Sequence, residues 1–483
     1  MKAMLHQPKA FWLVFSLEVW ERYGFYVVQS LIVTYLIQHF RLSDANSDVL
    51  FGSFASLAYL LTSLGGMVGD RLLGTKRTIL IGAVTLATGY FIFSLPNLPL
   101  GGVTFALTLV ALGNGLFKPN PSSLLSKVYE TGNYNQDSGF TLYYMAINVG
   151  TMTSILISPV VALHYGWSWA FRLAFICLVI AIASYMKMRG SIKNIGSKPD
   201  MQPLRKDLAL YVGASALIVL FIGWWLMGHD RIMSVVLTLG MLAFISYYVA
   251  QIFMAKPDEQ KGMVLFLILF VVGCLYWAFY FQMPTSLTLF ALRNVNHQFL
   301  GFQFQGQQYQ GIEGFWIIVM GPLMAMIYQY FKKKKWQVTI STKFALGMVF
   351  LALTFFTIPF SGLFNATGVV SSWWMVLLYW LQSISELLIS ALGFSMVSRY
   401  IPQRLMGFVM GLWLLTISMG SLFSGYIAAI ANIPSDMTNN PLESFPIYSH
   451  LFSELGWLSL AVALVLFSCL PLLNKLSRVQ HHD

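Results

Sequence analysis

The chain has 483 residues, of which 57% are hydrophobic, 16% aromatic and only 10% charged, with a formal charge of +11 and a mean hydropathy of +0.68. Soluble domains carry about 25% charged residues, so the composition excludes a soluble globular protein, and with it a disordered chain, a collagen or a disulfide-knit secreted scaffold. The basic surplus would point to nucleic acid on a soluble protein; in a chain this apolar the expectation is a polytopic protein whose partner is the bilayer and not nucleic acid.

A helix crosses a bilayer with about 20 mostly apolar residues. Such stretches fall at about 11–38, 49–70, 78–96, 102–120, 138–164, 168–188, 207–228, 231–254, 261–290, 314–331, 343–360, 370–398, 404–431 and 450–474, fourteen in all. The first is not expected to be a cleavable signal, because it lacks a small-residue cleavage site and holds Glu18, Glu21 and Arg22. After the sixth span, Ser191 to Lys206 with Gly196, Pro199 and Pro203 reads as a linker, and two spans nearly free of ionisable groups follow it. The expected plan is a six-helix bundle over 1–190, a cytoplasmic linker and inserted two-helix hairpin over 191–259, and a second six-helix bundle over 260–483. Basic loops recur after the second span of each half, Asp70 to Arg77 and Lys332 to Lys335, a weak repeat of the kind found in two-bundle transporters.

Orientation follows from the basic residues. When alternate connections and both termini are assigned to one side, that side holds 23 of the 29 Lys and Arg, among them Lys2 and Arg478. The positive-inside rule then places both termini in the cytoplasm. Cys177, Cys274 and Cys469 all fall in apolar stretches, so no disulfide framework is expected.

Charges at bilayer depth cost about 2.5–3.5 kcal/mol each on insertion scales and usually mark transport pathways or proton relays. In the first span Glu18, Glu21, Arg22 and Tyr26 recur at helical spacing, so one face presents two carboxylates, a guanidinium and a phenol. An ion-pair cluster that merely locks two helices is the competing reading. Lys118 lies in Gly113-Asn-Gly-Leu-Phe-Lys118-Pro119-Asn-Pro121, where two prolines end the fourth span; it is either the cation that the two acids call for or a snorkelling lysine. Asn148 is a cavity group or an interhelical hydrogen bond. Glu386 is a lone intramembrane acid with no cation near it in sequence, which requires a polar cavity or a proton. Glu313 is a second cavity acid or an interfacial residue. Trp277 and Trp413 are pocket walls or packing. There is no P-loop, no HExxH or comparable metal motif, and no catalytic constellation, so neither an enzyme, a bound metal nor a cofactor is expected.

Gly66-Met-Val-Gly-Asp70-Arg71-Leu-Leu-Gly74-Thr-Lys76-Arg77 resembles the loop motif of the major facilitator superfamily, in which the acid and bases form a cytoplasmic latch. Glu18-x-x-Glu21-Arg22, Lys118-Pro-Asn-Pro-Ser and Phe140 to Gly150 resemble the proton-dependent oligopeptide transporters. The segments Gln282 to Val295 and Pro402 to Gly411 are similar to their bacterial di- and tripeptide permease branch, and the likeness runs over nearly the whole chain. The resemblance implies an all-α major facilitator fold of two six-helix bundles plus an inserted pair. It also implies a bacterial inner-membrane, proton-coupled symporter that imports di- and tripeptides by alternating access, expected to act as a monomer. By position it assigns Arg22 and Lys118 to the peptide carboxylate, Glu386 to its amine, and Glu18 and Glu21, with Arg22 and Lys118, to proton coupling. Tyr26, Tyr59 and Asn148 match polar cavity groups, Trp277 and Trp413 aromatic walls, and Asp70 and Arg71 the latch.

This sequence departs from the family pattern at three places. Gln29 and Phe281 stand where many members have an outer-gate arginine and acid, and Glu313-Gly314 where the family often has Asn-Pro. A carboxylate at 313 predicts either stronger selection for cationic substrates or a second proton site. The alternative functional reading is a major facilitator that moves a non-peptide or peptide-like small molecule, cationic or outward-bound.

Overall fold

Inside a bilayer no water can satisfy an open backbone, so the long apolar runs are expected to close their hydrogen bonds within helices, and in the computed structural model they do. It describes residues 7–130, 136–334, 338–390, 393–431, 433 and 440–477. Lys2, Lys335 and Arg478, counted above among the cytoplasmic charges, lie outside the described residues. Among those residues twelve helices are long and apolar enough to span a membrane. Two more helices bring the total to the fourteen expected: Lys9–Phe40, which holds Glu18, Glu21 and Arg22 along its length, and the 17-residue Trp373–Ile389.

The chain divides into two compact units. The first is Met1–Arg41 with Ser53–Met233, the second Leu42–Gly52 with Ser234–Asp483. The first contains α1 (Lys9–Phe40), most of α2 (Asp44–Met67), α3 (Thr75–Phe93), α4 (Leu100–Phe117), α5 (Pro119–Glu130), α6 (Gln136–Tyr165), α7 (Trp167–Met188) and α8 (Lys206–Met227). Here α1 packs on α6 and α7, α3 on α4 and α7, and α8 on α4. Glycine makes the closest approach possible: a Cβ on Gly150 of α6 would lie 2.4 Å from the Val19 carbonyl and 2.9 Å from Arg22 Cβ, so only a bare backbone brings α6 this near the charged face of α1.

The second unit holds α9 (Asp230–Met254), apart from its first turn, α10 (Pro257–Tyr280), α11 (Ser286–Asn294), α12 (Gln310–Lys333), α13 (Ile340–Gly362), α14 (Trp373–Ile389), α15 (Gly393–Tyr400), α16 (Met406–Ile430) and α17 (Pro441–Leu476). Here α13 packs on α17 and α14, α10 on α16, and α12 on α14. A two-residue antiparallel pair, β1 (Gln298–Phe299) with β2 (Phe302–Gln303), is the one sheet among the described residues. The single span expected over 261–290 is instead two helices, α10 and α11. Pro284 cannot donate to the preceding turn and its ring crowds the carbonyl there, so the chain breaks after Tyr280 and restarts at Ser286. Within the second unit Arg293 grips Asp44 through two hydrogen bonds, Nη1 to Oδ2 at 2.5 Å and Nη2 to Oδ1 at 2.9 Å, and also donates to the Tyr448 hydroxyl at 2.9 Å.

The segment read as a linker is docked rather than loose. Asp200 accepts from the backbone of Lys76 at 3.1 Å and so caps the start of α3, beside Gly74 at φ 102°. Ser197 Oγ donates to the Gly69 carbonyl at 3.0 Å and accepts from Thr75 N–H at 3.0 Å. Lys76 and Arg77 reciprocate by donating to carbonyls of Ile192, Lys193, Pro199 and Gln202.

Candidate functional site

The first unit gathers one charged cluster. Glu18 and Arg22 are one helical turn apart on α1 and Glu21 adjoins Arg22, so the three heads converge. Arg22 donates from Nε to Glu21 Oε2 at 2.6 Å, its Nη2 lies 2.6 Å from the same oxygen as an ion pair, and its Nε lies 3.4 Å from Glu18 Oε1. All three side chains are buried: Glu18 is 2% exposed, Glu21 fully enclosed and Arg22 3% exposed. Two neighbours hold the cluster in place. Asn114 of α4 accepts from Arg22 Nη2 at 3.2 Å, and the Tyr143 hydroxyl of α6 donates to Glu18 Oε2 at 2.7 Å. Glu21 Oε1 is left without a hydrogen-bond partner, an oxygen poised to take a proton.

Lys118 stands at the corner between α4 and α5. Pro119 supplies no N–H there, and the Asn120 amide bonds the Leu116 carbonyl at 2.6 Å and the Gly65 carbonyl of α2 at 3.2 Å, which fixes the bend. The Lys118 ammonium lies over the Tyr59 ring, 4.3 Å from its centre. It interacts electrostatically with Glu18, Glu21 and Arg22 but makes no ion pair with Glu21, which Arg22 holds instead. Tyr26 is half-buried within the field of Arg22. Asn148 turns back on its own helix and donates to the Tyr144 carbonyl at 2.9 Å.

The second unit brings Glu313 and Glu386 together. Tyr280, at the end of α10, places its hydroxyl 3.2 Å from Glu313 Oε2 and 3.3 Å from Glu386 Oε2. Trp277 packs edge-on against the same tyrosine ring at 5.1 Å. Trp413 is away from this group. It is 1% exposed, with its ring against the Gly273 backbone, Phe266, Phe344 and the Gly393 backbone, a packing position in this conformation. Gln29 and Phe281 are both buried.

In the motif at 66–77 Asp70 is exposed and pairs with Lys127 of α5 at 2.7 Å; Ser123 and Thr75 also donate to its Oδ1, at 3.2 and 3.4 Å. Arg71 beside it is exposed. The partner of Asp70 seen here is therefore Lys127.

Sequence reasoning missed Asn114, Tyr143, Tyr280 and Lys127. Asn114 alone left a readable signal, a polar residue between two glycines one turn ahead of Lys118. Among the described residues no group of His, Cys, Asp and Glu could hold a metal ion.

A family model described as "POT family" matches residues 76–445. The chain is 40% identical over 475 residues to dipeptide and tripeptide permease B of Aeromonas hydrophila subsp. hydrophila, covering 98% of this chain and 95% of that protein. It is 40% identical over 474 residues to dipeptide and tripeptide permease B of Salmonella typhimurium, covering 98% and 97%. Among solved structures, tetrameric PepTSo2 superimposes with a TM-score of 0.87 at 33% identity, over 97% of this chain and 99% of that one.

Proposed function

This chain belongs to the POT family, and we propose that it is a proton-coupled symporter that imports di- and tripeptides by alternating access. The observation that carries the reading is the buried cluster of Glu18, Glu21 and Arg22 with Lys118 in its field: two acids and two bases at membrane depth, one acid oxygen unpartnered. Such a cluster is costly in a bilayer unless it works on ions, and relatives at 40% identity over nearly the full chain are named dipeptide and tripeptide permeases.

In this reading Lys118 and Arg22 take the peptide carboxylate and Glu386 its ammonium. Glu21 and Glu18 take the transported proton, and Tyr26, Tyr59, Asn148, Trp277 and Trp413 complete the cavity in the states that open it. Main-chain length then sets the fit, because both charged ends of the substrate must be met. Asp70 with Lys127, beside Arg71, closes the cytoplasmic side of the first bundle. The organisation is a bundle over 1–190, linker and hairpin over 191–259, and a bundle over 260–483, in the bacterial inner membrane with both termini cytoplasmic. The skew of basic residues supports that orientation. One copy carries both sets of charged residues, which supports a monomer as the working unit, although the PepTSo2 relative is tetrameric.

The test is uptake of labelled dialanine into proteoliposomes with an imposed proton gradient, competed by a panel of di- and tripeptides, free amino acids and peptide-like amines. Gradient-dependent uptake blocked by di- and tripeptides alone supports the reading. Uptake that ignores the peptides overturns it.

A further inference from the structure

Two buried acids of the second unit, Glu313 and Glu386, are held in the opposite way from the cluster of the first. In the first unit each carboxylate of the cluster faces Arg22. In the second, Glu313 from the first turn of α12 and Glu386 from α14 face each other across Tyr280, within hydrogen-bonding reach, and no Lys or Arg among the described residues pairs with either. The other groups that interact with them are neutral: Tyr276 of α10, and Tyr379 and Gln382 of α14. Lys343, the one ionisable residue of the neighbouring α13, is at that helix's first turn, over the Tyr328 ring at 4.0 Å. Glu313 is 4% exposed, and its Oε1 has no hydrogen-bond partner.

The tyrosine has a single proton to offer two acids. Two adjacent ionised carboxylates with no counter-ion in a poorly solvated site repel strongly, and a proton held between them removes that repulsion and supplies a hydrogen bond the pair lacks. We propose that Glu313 and Glu386, bridged by Tyr280, form a proton-sharing carboxyl pair, a second proton-binding site separate from the cluster on α1, which carries one negative charge when loaded and then accepts one ammonium group.

The pair has a consequence that a single acid cannot have. A lone Glu386 would bind either a proton or a substrate ammonium, so the two would compete. A pair that keeps its shared proton still offers one negative charge, so proton and ammonium bind together and leave together. The proton comes from water when the empty pair loads and returns to water when the pair discharges. The cationic partner is thus a single ammonium, as on the amino end of a neutral peptide. This use of the site rests on the symporter reading; the shared proton itself does not.

The experiment uses the full chain with Glu313→Gln, which keeps the size and the hydrogen bond to Tyr280 but removes the second acid, and Glu386→Gln as the companion variant. In infrared difference spectra recorded on a pH step without substrate, the wild type should show a protonated-carboxyl carbonyl band whose frequency shifts in both variants, because the remaining acid then holds its proton alone. In calorimetry repeated in buffers of different ionisation enthalpy at mildly acidic pH, dialanine binding to Glu313→Gln should release about one proton more than binding to the wild type, as expected where ammonium and proton compete for one acid. In proteoliposomes, protons moved per peptide should fall by one. A carboxyl band untouched by either substitution overturns the pair, and so does unchanged proton release and stoichiometry in Glu313→Gln. If the wild type neither binds nor moves dialanine while the band behaves as expected, the symporter reading fails and the pair stands.

Discussion

Replacing Glu21 with Gln removes one charge and almost no volume, which makes it the sharpest probe of the first-unit cluster. Glu21 Oε2 accepts from Arg22 Nε and lies 2.6 Å from both Nε and Nη2, and at that separation and an effective dielectric of about 20 the gross attraction is about 6 kcal/mol. Desolvating each ion costs several kcal/mol in the opposite direction. The amide oxygen of Gln still accepts from the guanidinium, and Glu18 at 3.4 Å remains as a counter-ion. The net loss should therefore approach that of a charge-assisted hydrogen bond, about 1.5–3 kcal/mol, and the variant should fold. Coupling through this site should not survive, because Gln at 21 has no proton to carry; only the proton proposed for the Glu313–Glu386 pair would remain. One pH unit across the membrane supplies about 1.4 kcal/mol per proton, or about tenfold accumulation for each proton coupled. In proteoliposomes with that gradient and the membrane potential clamped, the wild type should concentrate dialanine at least about tenfold. Glu21→Gln should fall about tenfold below the wild-type ratio, keeping only what the Glu313–Glu386 proton drives, while still exchanging labelled for unlabelled peptide when both sides are loaded. Accumulation by Glu21→Gln at the wild-type ratio would refute the coupling role. A variant that melts far below the wild type and exchanges nothing would refute the magnitude.

Three further substitutions test other parts of the structure. Lys118→Ala should weaken dipeptide binding by about tenfold to a hundredfold, the worth of a charge-assisted bond, and leave amines lacking a carboxylate nearly unchanged; equal losses in a competition assay remove the carboxylate assignment. Asp44→Asn strips Arg293 of its two-point partner and should cost about 3–5 kcal/mol, read as a lower melting temperature in detergent, whereas Arg205→Ala, at an exposed pair with Asp207, should cause no measurable shift. Gly150→Ala would drive a Cβ to 2.4 Å from the Val19 carbonyl. Backbone cannot step aside as a flexible side chain can, so about 1–3 kcal/mol of destabilisation is expected, and a wild-type melting temperature would show that α6 does not press on α1 here.

How much could be seen in advance follows from which residues are rare. With 10% charge in 483 residues, each ionised side chain at membrane depth stands out, and Glu18, Glu21, Arg22, Lys118 and Glu386 were legible for that reason. The fourteen helices were legible because hydrocarbon leaves the backbone no other solution. Partners across helices were not legible. The chain has 23 tyrosines, and nothing in the local sequence separates Tyr143 and Tyr280, which touch carboxylates, from those that only pack. That distinction depends on how each helix is rotated about its axis, which neighbouring helices decide. Lys127 was hidden differently. It reads as one more cytoplasmic base, and only the bend at Pro119 carries α5 to where Lys127 meets Asp70. The docked linker was missed because Gly196, Pro199 and Pro203 are breakers whatever they dock on, while Ser197 and Asp200 between them do the capping.

The geometry also distinguishes the two bases of the proposed carboxylate site. Arg22 is committed: Glu21, Glu18 and Asn114 take its Nε and Nη2. Lys118 is not, since it lies over the Tyr59 ring and makes no ion pair among the described residues. In the proposed cycle an incoming peptide carboxylate therefore meets Lys118 first. A proton arriving at Glu21, whose Oε1 is unpartnered, cancels the charge that holds Arg22 and makes its guanidinium available to the same carboxylate. Proton and peptide then favour each other's binding without touching, and by linkage the effect is reciprocal: a bound carboxylate that draws on Arg22 makes Glu21 easier to protonate. An arrangement in which Lys118 rather than Arg22 held Glu21 would reverse the order, with the proton freeing the lysine. The two orders separate experimentally. With Arg22 held by Glu21, the peptide binding that Lys118→Ala weakens at neutral pH is partly restored by acidification through Arg22; with Lys118 as the holder, acidification restores none.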